Sequence, residues 1–447
     1  MEFSNFTPFP ALAFESLGID GAPFHTVVLR QTFELREGAL VLAQEQTPLT
    51  TTDRFFGEPN QSSVAEESDL APYKPACDVL IHATAYAPGG TALPRFEAGV
   101  QLISAAIVTD REAGLASTTV LLDRRLRING PRAFVRRSAF MRSAGKMVAL
   151  VTFGLVRRQD WRLTAPEPIK ALPIRYEHAW GGQCRVNADD KAAGRVPKAM
   201  RLTEQQQSGH PDQSHLPVAH TTCEANPVGM GFAERWFVKA SRLTRIAAPQ
   251  IEEVGQPLTT QAWLHASAEG TSRALQPAGF GMVGRAWRGR RELAGTFDDQ
   301  WLAERHPGLP ADFDFRYWNS APPSMQVPHL KGNETLVLAN LAPTGTPGAK
   351  VNAQGGTLLR IPLPGHLPMG WIYTSEALKF APFLLDTLSV DLSDPMKPKV
   401  TLVWRATLMK SLRVQRFEAR FIERTAMDRL SASSPAALNG SAGARHV

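Results

Sequence analysis

Glycine and proline limit what this chain can fold into. It holds 34 of each among 447 residues, so a residue that bends or breaks regular structure falls about every seven positions. Proline lacks a backbone N–H and clashes inside a helix, and an interior glycine costs a helix about 1 kcal/mol relative to alanine. Long helices are therefore disfavoured over most of the sequence, and short strands joined by turns fit the spacing. The strand formers lie between the breakers. His25–Leu35 is rich in β-branched residues and alternates over its second half. Arg36-Glu37-Gly38 reads as a turn, and Ala39–Ala43 returns as the partner strand.

Lys74–Gly90 reads as a strand running into a Pro-Gly-Gly turn. Period two puts Asp78, Leu80 and His82 on one face and Val79 and Ile81 on the other. Further strands are predicted at Phe96–Val108, Thr118–Ile128, Met147–Val156, Thr335–Leu341, Thr357–Ile361, Leu388–Leu392 and Lys399–Met409. One helix stands out, Thr296–Arg305, with Thr296 as N-cap, Asp298 and Asp299 in its first turn, and Pro307 as its stop. Its Phe297, Trp301 and Leu302 recur at helical spacing and are expected to face the core. Thr51–Asp69 and Asp189–Thr222 are polar and read as loops.

The fold class expected is mainly β: β-sandwich or barrel-like units with few short helices and long loops. The length suits two or three domains. The division expected is a β-rich unit over 1–165 and a second over 166–430 that carries the long loop near 189–222. The Ser-, Ala- and Gly-rich tail, 431–447, is expected to be disordered.

Hydrophobic residues make up 43% and charged residues 20%, enough apolar mass for a core and too little charge for general disorder. The net charge of +7 is modest for this length and does not demand nucleic acid. The basic residues cluster, in Arg124, Arg125, Arg127, Arg132, Arg136 and Arg137 and in Arg285, Arg288, Arg290 and Arg291. Such clusters read as solvated strand faces and loops, or as a docking surface for an acidic partner. Cys77, Cys184 and Cys223 show no CxxC spacing, which fits a reducing compartment. The N-terminus lacks the basic region and apolar core of a signal peptide. The most apolar stretch, Phe140–Val156, is interrupted by Arg142 and Lys146. The expected location is the cytoplasm, with no membrane contact.

Leu172–Gly182 packs Arg175, Tyr176, Glu177, His178 and Trp180 between a proline and a glycine pair. If the middle is extended, Arg175 and Glu177 share one face, and Tyr176, His178 and Trp180 the other. Glu177 and His178 are the residue types of acid–base chemistry. Neighbours on a strand point to opposite faces, so the plainer reading is an ion pair beside an aromatic stripe. His210, His215, His220 and Cys223, with Cys184 upstream, could hold a metal. Their spacing matches no standard zinc motif, and no metal or other cofactor is expected. Asp78 and His82 could pair on a strand face, but no nucleophile presents itself on a strained turn. Asn226–Phe232 and Pro277–Arg285 loosely resemble phosphate loops but lack the lysine-plus-hydroxyl ending, and tight turns are the plainer reading. Arg285–Arg291 mixes aromatic and basic residues, which alone is weak evidence for single-stranded nucleic acid.

An ordered set of motifs carries a resemblance. It opens with Ser68-Asp69-Leu70, Ala71–Pro75, Asp78-Val79 and Ala85–Gly90, and continues with Leu172–Glu177, Gly181-Gly182, Asn226–Gly229 and Gly231-Phe232. Gly279–Gly281, Trp287, Ala294–Asp298, Trp301, Pro310, Asp312–Asp314, Asn319 and Ala321-Pro322 follow, and Asp386-Thr387 and Trp404-Arg405 close it. The chain resembles, over roughly Thr26–Leu408, a bacterial family catalogued as domain of unknown function 2169. The resemblance implies a non-enzymatic cytoplasmic adaptor or chaperone of the type VI secretion system. Such a protein would hold a toxic effector and help load it onto the spike of PAAR-type protein and VgrG. The candidate partner-binding residues are Arg175, Tyr176, Glu177, His178, Trp180, Asn226, Arg285, Trp287 and Arg288. The competing expectation is a hydrolase-like enzyme using Glu177 and His178 or the His-containing loop.

Overall fold

The structure is a computed structural model that describes residues 1–105, 107–110, 115–137, 160–208, 217–267 and 274–423. The expected strand Met147–Val156 and the tail 431–447 lie outside the described residues. The chain is mainly β, with few and short helices, as the density of breakers predicts.

A seven-stranded sheet organises the fold. Its order is Ala11–Leu17, Pro23–Arg36, Lys399–Met409, Leu384–Asp391, Cys77–His82 and Gln326–Val327, with Ala39–Leu42 paired to Pro23–Arg36. Leu384–Asp391 and Cys77–His82 run parallel, and every other pair is antiparallel. Register assigns two unlike faces. Val27, Leu29 and Phe33 line up with Val400, Leu402, Trp404 and Ala406, then with Leu388, Val390, Val79 and Ile81. All of these are buried in one large core. The opposite face carries Arg30, Thr32, Thr401, Arg405, Thr387, Ser389, Asp391, Asp78 and His82. The alternation predicted for Asp78–His82 is the one observed.

A six-stranded antiparallel sheet shares the large core. Its order is Ile251–Glu253, Val120–Asn129, Arg95–Ile103, Thr335–Ala339, Thr357–Pro362 and Ala349–Val351. Val100, Leu102, Leu126, Leu336, Leu338 and Leu359 pack with the apolar face of the first sheet. Burying such a side chain fully contributes about 1.5–3 kcal/mol, and this common core is the main driving force. A four-stranded sheet, Glu2–Asn5, Arg416–Glu423, His366–Tyr373 and Leu378–Pro382, adds Phe417, Ala419 and Ile372 to the same core.

A second, smaller core takes its buried residues from Phe134–Ala266, with Leu275 packed against it. Trp263 stacks on Phe134 at 4.3 Å, meets Trp161 edge-on at 5.2 Å, and donates its indole N–H to Gly231 O at 2.9 Å.

Several expectations change. Strands on both sides of residue 165 share both large sheets, because sheets group strands by pairing and not by chain order; the separate core lies inside the chain. The described parts of the segment 189–222 are not an open loop: Ala192 and Val196 are buried in the small core, and Pro217–Thr222 pairs with Gln183–Asn187. Thr51–Asp69 contains the short pair Arg54–Phe55 and Val64–Glu66. The predicted helix is shorter, Asp299–Glu304, and its N-cap is Asp298, whose carboxylate accepts from Trp301 N at 2.8 Å. Thr296 instead hydrogen-bonds Asp312 through both its backbone N–H and its hydroxyl. Phe297 and Leu302 are 57% and 59% exposed, so they do not face the core. Six residues make too short a helix for a full buried stripe, and Phe297 packs on Trp301 at 4.8 Å.

The charged face of the seven-stranded sheet is closed by its own pairs. Arg30 bonds Asp69 at 2.9 Å and also Glu66; Lys74 bonds Asp78 and the Thr387 hydroxyl, each at 2.9 Å. Arg405 bonds Asp386 and donates to Asp69 O at 2.8 Å. Breaking a buried pair from one side leaves a stranded charge. We expect Arg405→Leu to lower stability by about 3–5 kcal/mol. The double variant Asp386→Leu/Arg405→Leu should recover most of that loss in urea unfolding; a double variant no better than the single would refute this account.

Candidate functional site

Leu172–Gly182 does not run extended. Tyr176–His178 is a single 3₁₀ turn, set by Ser63 from a distant loop. The Ser63 hydroxyl accepts from Tyr176 N at 3.2 Å and donates to the Glu177 carboxylate, which also accepts from Ser63 N at 2.8 Å. Glu177 is therefore not partnered with Arg175, whose guanidinium lies 4.0 Å over the Phe56 ring. The expected shared face of Arg175 and Glu177, and the stripe of Tyr176, His178 and Trp180, are replaced by a seam between the two cores. Tyr176 and Ala179 belong to the large core and Trp180 to the small one. Tyr176 meets Trp287 edge-on at 5.2 Å, and burial pushes its phenol pKa up. His178 is half-buried, and burial pushes its imidazole pKa down.

Asn226 clamps this seam. Its side-chain amide donates to Tyr176 O at 2.8 Å and to Trp180 O at 2.9 Å. Its own carbonyl accepts from Gly182 N at 2.8 Å. Met230 N donates to Ala179 O, and Phe232 N to Gly181 O, giving a short parallel pairing of Trp180-Gly181 with Met230-Gly231. The backbones approach so closely that a Cβ on Gly181, at φ +150°, would sit 2.1 Å from Asn226 O. The glycines of Asn226–Phe232 thus serve a tight turn and close packing, as the plainer reading of that motif has it.

The basic clusters are largely spent inside the molecule. Arg132 bonds Glu252 at 2.8 Å, and Arg124 bonds Glu253. Arg285 pairs with Asp53 and Glu67, Arg290 with Glu67, and Arg291 with Glu224. In the Arg285–Arg291 cluster Arg288 is the exception: its nearest carboxylate oxygen, on Glu292, is 4.0 Å away.

Two concavities flank the Arg290–Glu67 pair. One is a groove of about 730 Å³ lined by Arg290 with Tyr176, Arg288, Asn319, Pro322 and Gln326. The other, about 430 Å³, includes Glu67 and opens on the charged sheet face, with Arg30, Lys74, His82, Thr387 and Arg405. Between them Asp78, fully buried, anchors a turn. Its carboxylate accepts from Asn319 Nδ2, Ser320 N and Ala321 N at 2.9–3.2 Å. Asp78 and His82 do not pair. Four residues along a strand separate them by about 13 Å, and His82 instead packs 5.7 Å from the Phe56 ring.

Of the proposed metal cluster, His210 and His215 lie outside the described residues. His220 hydrogen-bonds Gln183 and Thr222. Cys184 and Cys223 are buried in the small core, where desolvation pushes the Cys184 thiol up to about 12 and raises Cys223. Among the described residues no three His, Cys, Asp or Glu side chains gather as a metal site, and no helix is long and apolar enough to cross a membrane.

The sequence profile described as "Uncharacterized protein conserved in bacteria (DUF2169)" matches residues 20–405. The chain belongs to the DUF2169 family. No curated protein and no solved structure matches it. In this DUF2169 protein the motif residues scattered over the sequence converge. Asp69, Lys74, Asp78, Asp386, Thr387 and Arg405 meet on the charged sheet face. Tyr176, Trp180, Gly181 and Asn226 form the clamp, and Asn319 and Ala321 hang on Asp78. Five of the nine residues expected to touch a partner, Tyr176, Trp180, Asn226, Trp287 and Arg288, are buried. Ser63 and Glu67 escape sequence reasoning, because each sits in a polar loop whose partner lies more than 100 residues away.

Two outcomes are expected. Asn226→Leu removes the amide donors to the Tyr176 and Trp180 carbonyls; Tyr176 O keeps the Ala179 N–H, so the loss expected is about 1–3 kcal/mol, readable as a lowered urea midpoint; an unchanged midpoint would sink the clamp. His82 has its pKa lowered by burial. Its neutral form therefore supports the fold fully above the usual value of 6.5, and that support is lost as pH falls through it. Thermal melts from pH 7.5 down to about 5.5 should drop more steeply for wild type than for His82→Gln.

Proposed function

We propose that this protein is an adaptor of the type VI secretion system that binds an effector and helps load it onto the PAAR/VgrG spike. The observation that carries the reading is the groove beside Trp287. Its walls offer a guanidinium without a close partner, amides and prolines, which recognise a surface. The side chains suggested for acid–base chemistry are otherwise engaged: the Glu177 carboxylate is bound by Ser63, and His178 is held at the seam between the cores. The secretion setting is what the resemblance of its ordered motifs implies, and the two concavities offer surface on which a second protein can be held.

Co-expression with a PAAR-type spike protein and an effector from the same genome should yield a complex that survives size-exclusion chromatography. Deleting the gene should abolish secretion of that effector while other effectors are still exported. Failure to bind either protein, with secretion intact after deletion, would overturn the proposal.

A further inference from the structure

We infer that the groove receives a carboxylate, and that its occupant is an aspartate or glutamate side chain on an extended segment of a protein partner, held by the Arg288 guanidinium. This deepens the adaptor reading and rests on it.

Four arginines line the groove: Arg124, Arg288, Arg290 and Arg316. Three are committed, Arg124 to Glu253, Arg290 to Glu67 and Arg316 to Asp314. Arg288 is 9% exposed, yet its guanidinium donates no hydrogen bond among the described residues. Its closest carboxylate oxygen, on Glu292, is beyond hydrogen-bond distance at 4.0 Å, and the Glu292 side chain is 58% exposed. A guanidinium presents five donors in a planar fork that matches the two oxygens of a carboxylate. Although most of the residue is covered, the fork is not sealed from solvent, so a ligand in the groove can reach it.

Charge points to a single carboxylate: one uncommitted guanidinium balances one negative charge, and Glu253 in the same wall disfavours a dianion such as phosphate. Asn319 lines the same wall, but its Oδ1 is sealed from the groove, and its Nδ2 is spent on Ala76 O and Asp78 Oδ1, so it takes no part in holding the segment.

The test uses the full chain and fluorescein-labelled Gly-Gln-Glu-Gln-Gly, read by anisotropy beside the same peptide with glutamine in place of glutamate. Saturable binding of the glutamate peptide is expected, at least about tenfold tighter than the glutamine peptide, and weakened to a similar degree by Arg288→Gln. Arg288→Lys, which keeps the charge and loses the fork, should fall between. The comparison of the two peptides uses wild-type protein, so it decides the matter even if Arg288→Gln fails to fold. Equal binding of both peptides, or binding unchanged in a folded Arg288→Gln protein, overturns the inference. So does binding of succinate or inorganic phosphate with no binding of the peptide. An effector that co-purifies equally with wild type and Arg288→Gln overturns this inference and leaves the adaptor reading standing. Capture of the glutamate peptide without any effector sinks the adaptor reading alone.

Discussion

The carboxamide of Asn226 holds the two halves of the molecule in register. It is fully buried and gives its two N–H groups to carbonyls four residues apart, one at Tyr176 in the large core and one at Trp180 in the small core. A hydrophobic contact could tolerate sliding; two hydrogen bonds from one planar amide cannot. The glycines around it follow from the same requirement, since a Cβ on Gly181 would fall 2.1 Å from the Asn226 backbone oxygen. Tyr176 then sits against Trp287, and Trp287 is the N-cap residue of the Arg288–Arg291 turn. The groove wall is thus placed by a bond network that begins more than 50 residues earlier in the chain.

The second constraint is electrostatic. The central sheet is buried on both faces, but only one face is apolar. The other carries Arg30, Lys74, Asp78 and Arg405, each of which must find an opposite charge or several hydrogen bonds to remain there. The loops crossing this face supply them: Asp69 and Glu66 for Arg30, and the Asn319–Ala321 turn for Asp78. Loops that would otherwise be free are tied down at charged points, which explains how a chain with so little helix keeps its concavities shaped.

Much of the sheet was legible in the sequence and little of its pairing. Apolar alternation located Pro23–Arg36, Lys399–Met409 and the two faces of Cys77–His82, because a strand with one apolar face writes its period into the sequence. Partners are set by contacts across hundreds of residues and leave no local trace. The turn at Tyr176–His178 shows the limit: read alone, those residues suit a strand, and Ser63 makes them a turn from 113 positions away. In the candidate site, the sequence singled out Tyr176, Asn226, Trp287 and Arg288 by chemistry and spacing. It could not tell that the first three are interior and that Arg288 alone among the groove arginines has no close partner.

The pairing of Pro23–Arg36 with Lys399–Met409 joins segments whose partners lie 365 to 385 positions apart. Contacts between segments so far apart in sequence make for slow, late assembly. While the rest of the chain emerges from the ribosome, the long strand Pro23–Arg36 has only its near neighbours Ala11–Leu17 and Ala39–Leu42 to pair with. Its apolar face, destined for Trp404 and Leu402, stays without its cover. A nascent chain in that state offers an open edge to any other strand nearby, including one in a sister chain. The central sheet cannot close before Leu384–Asp391 and Lys399–Met409 have been made.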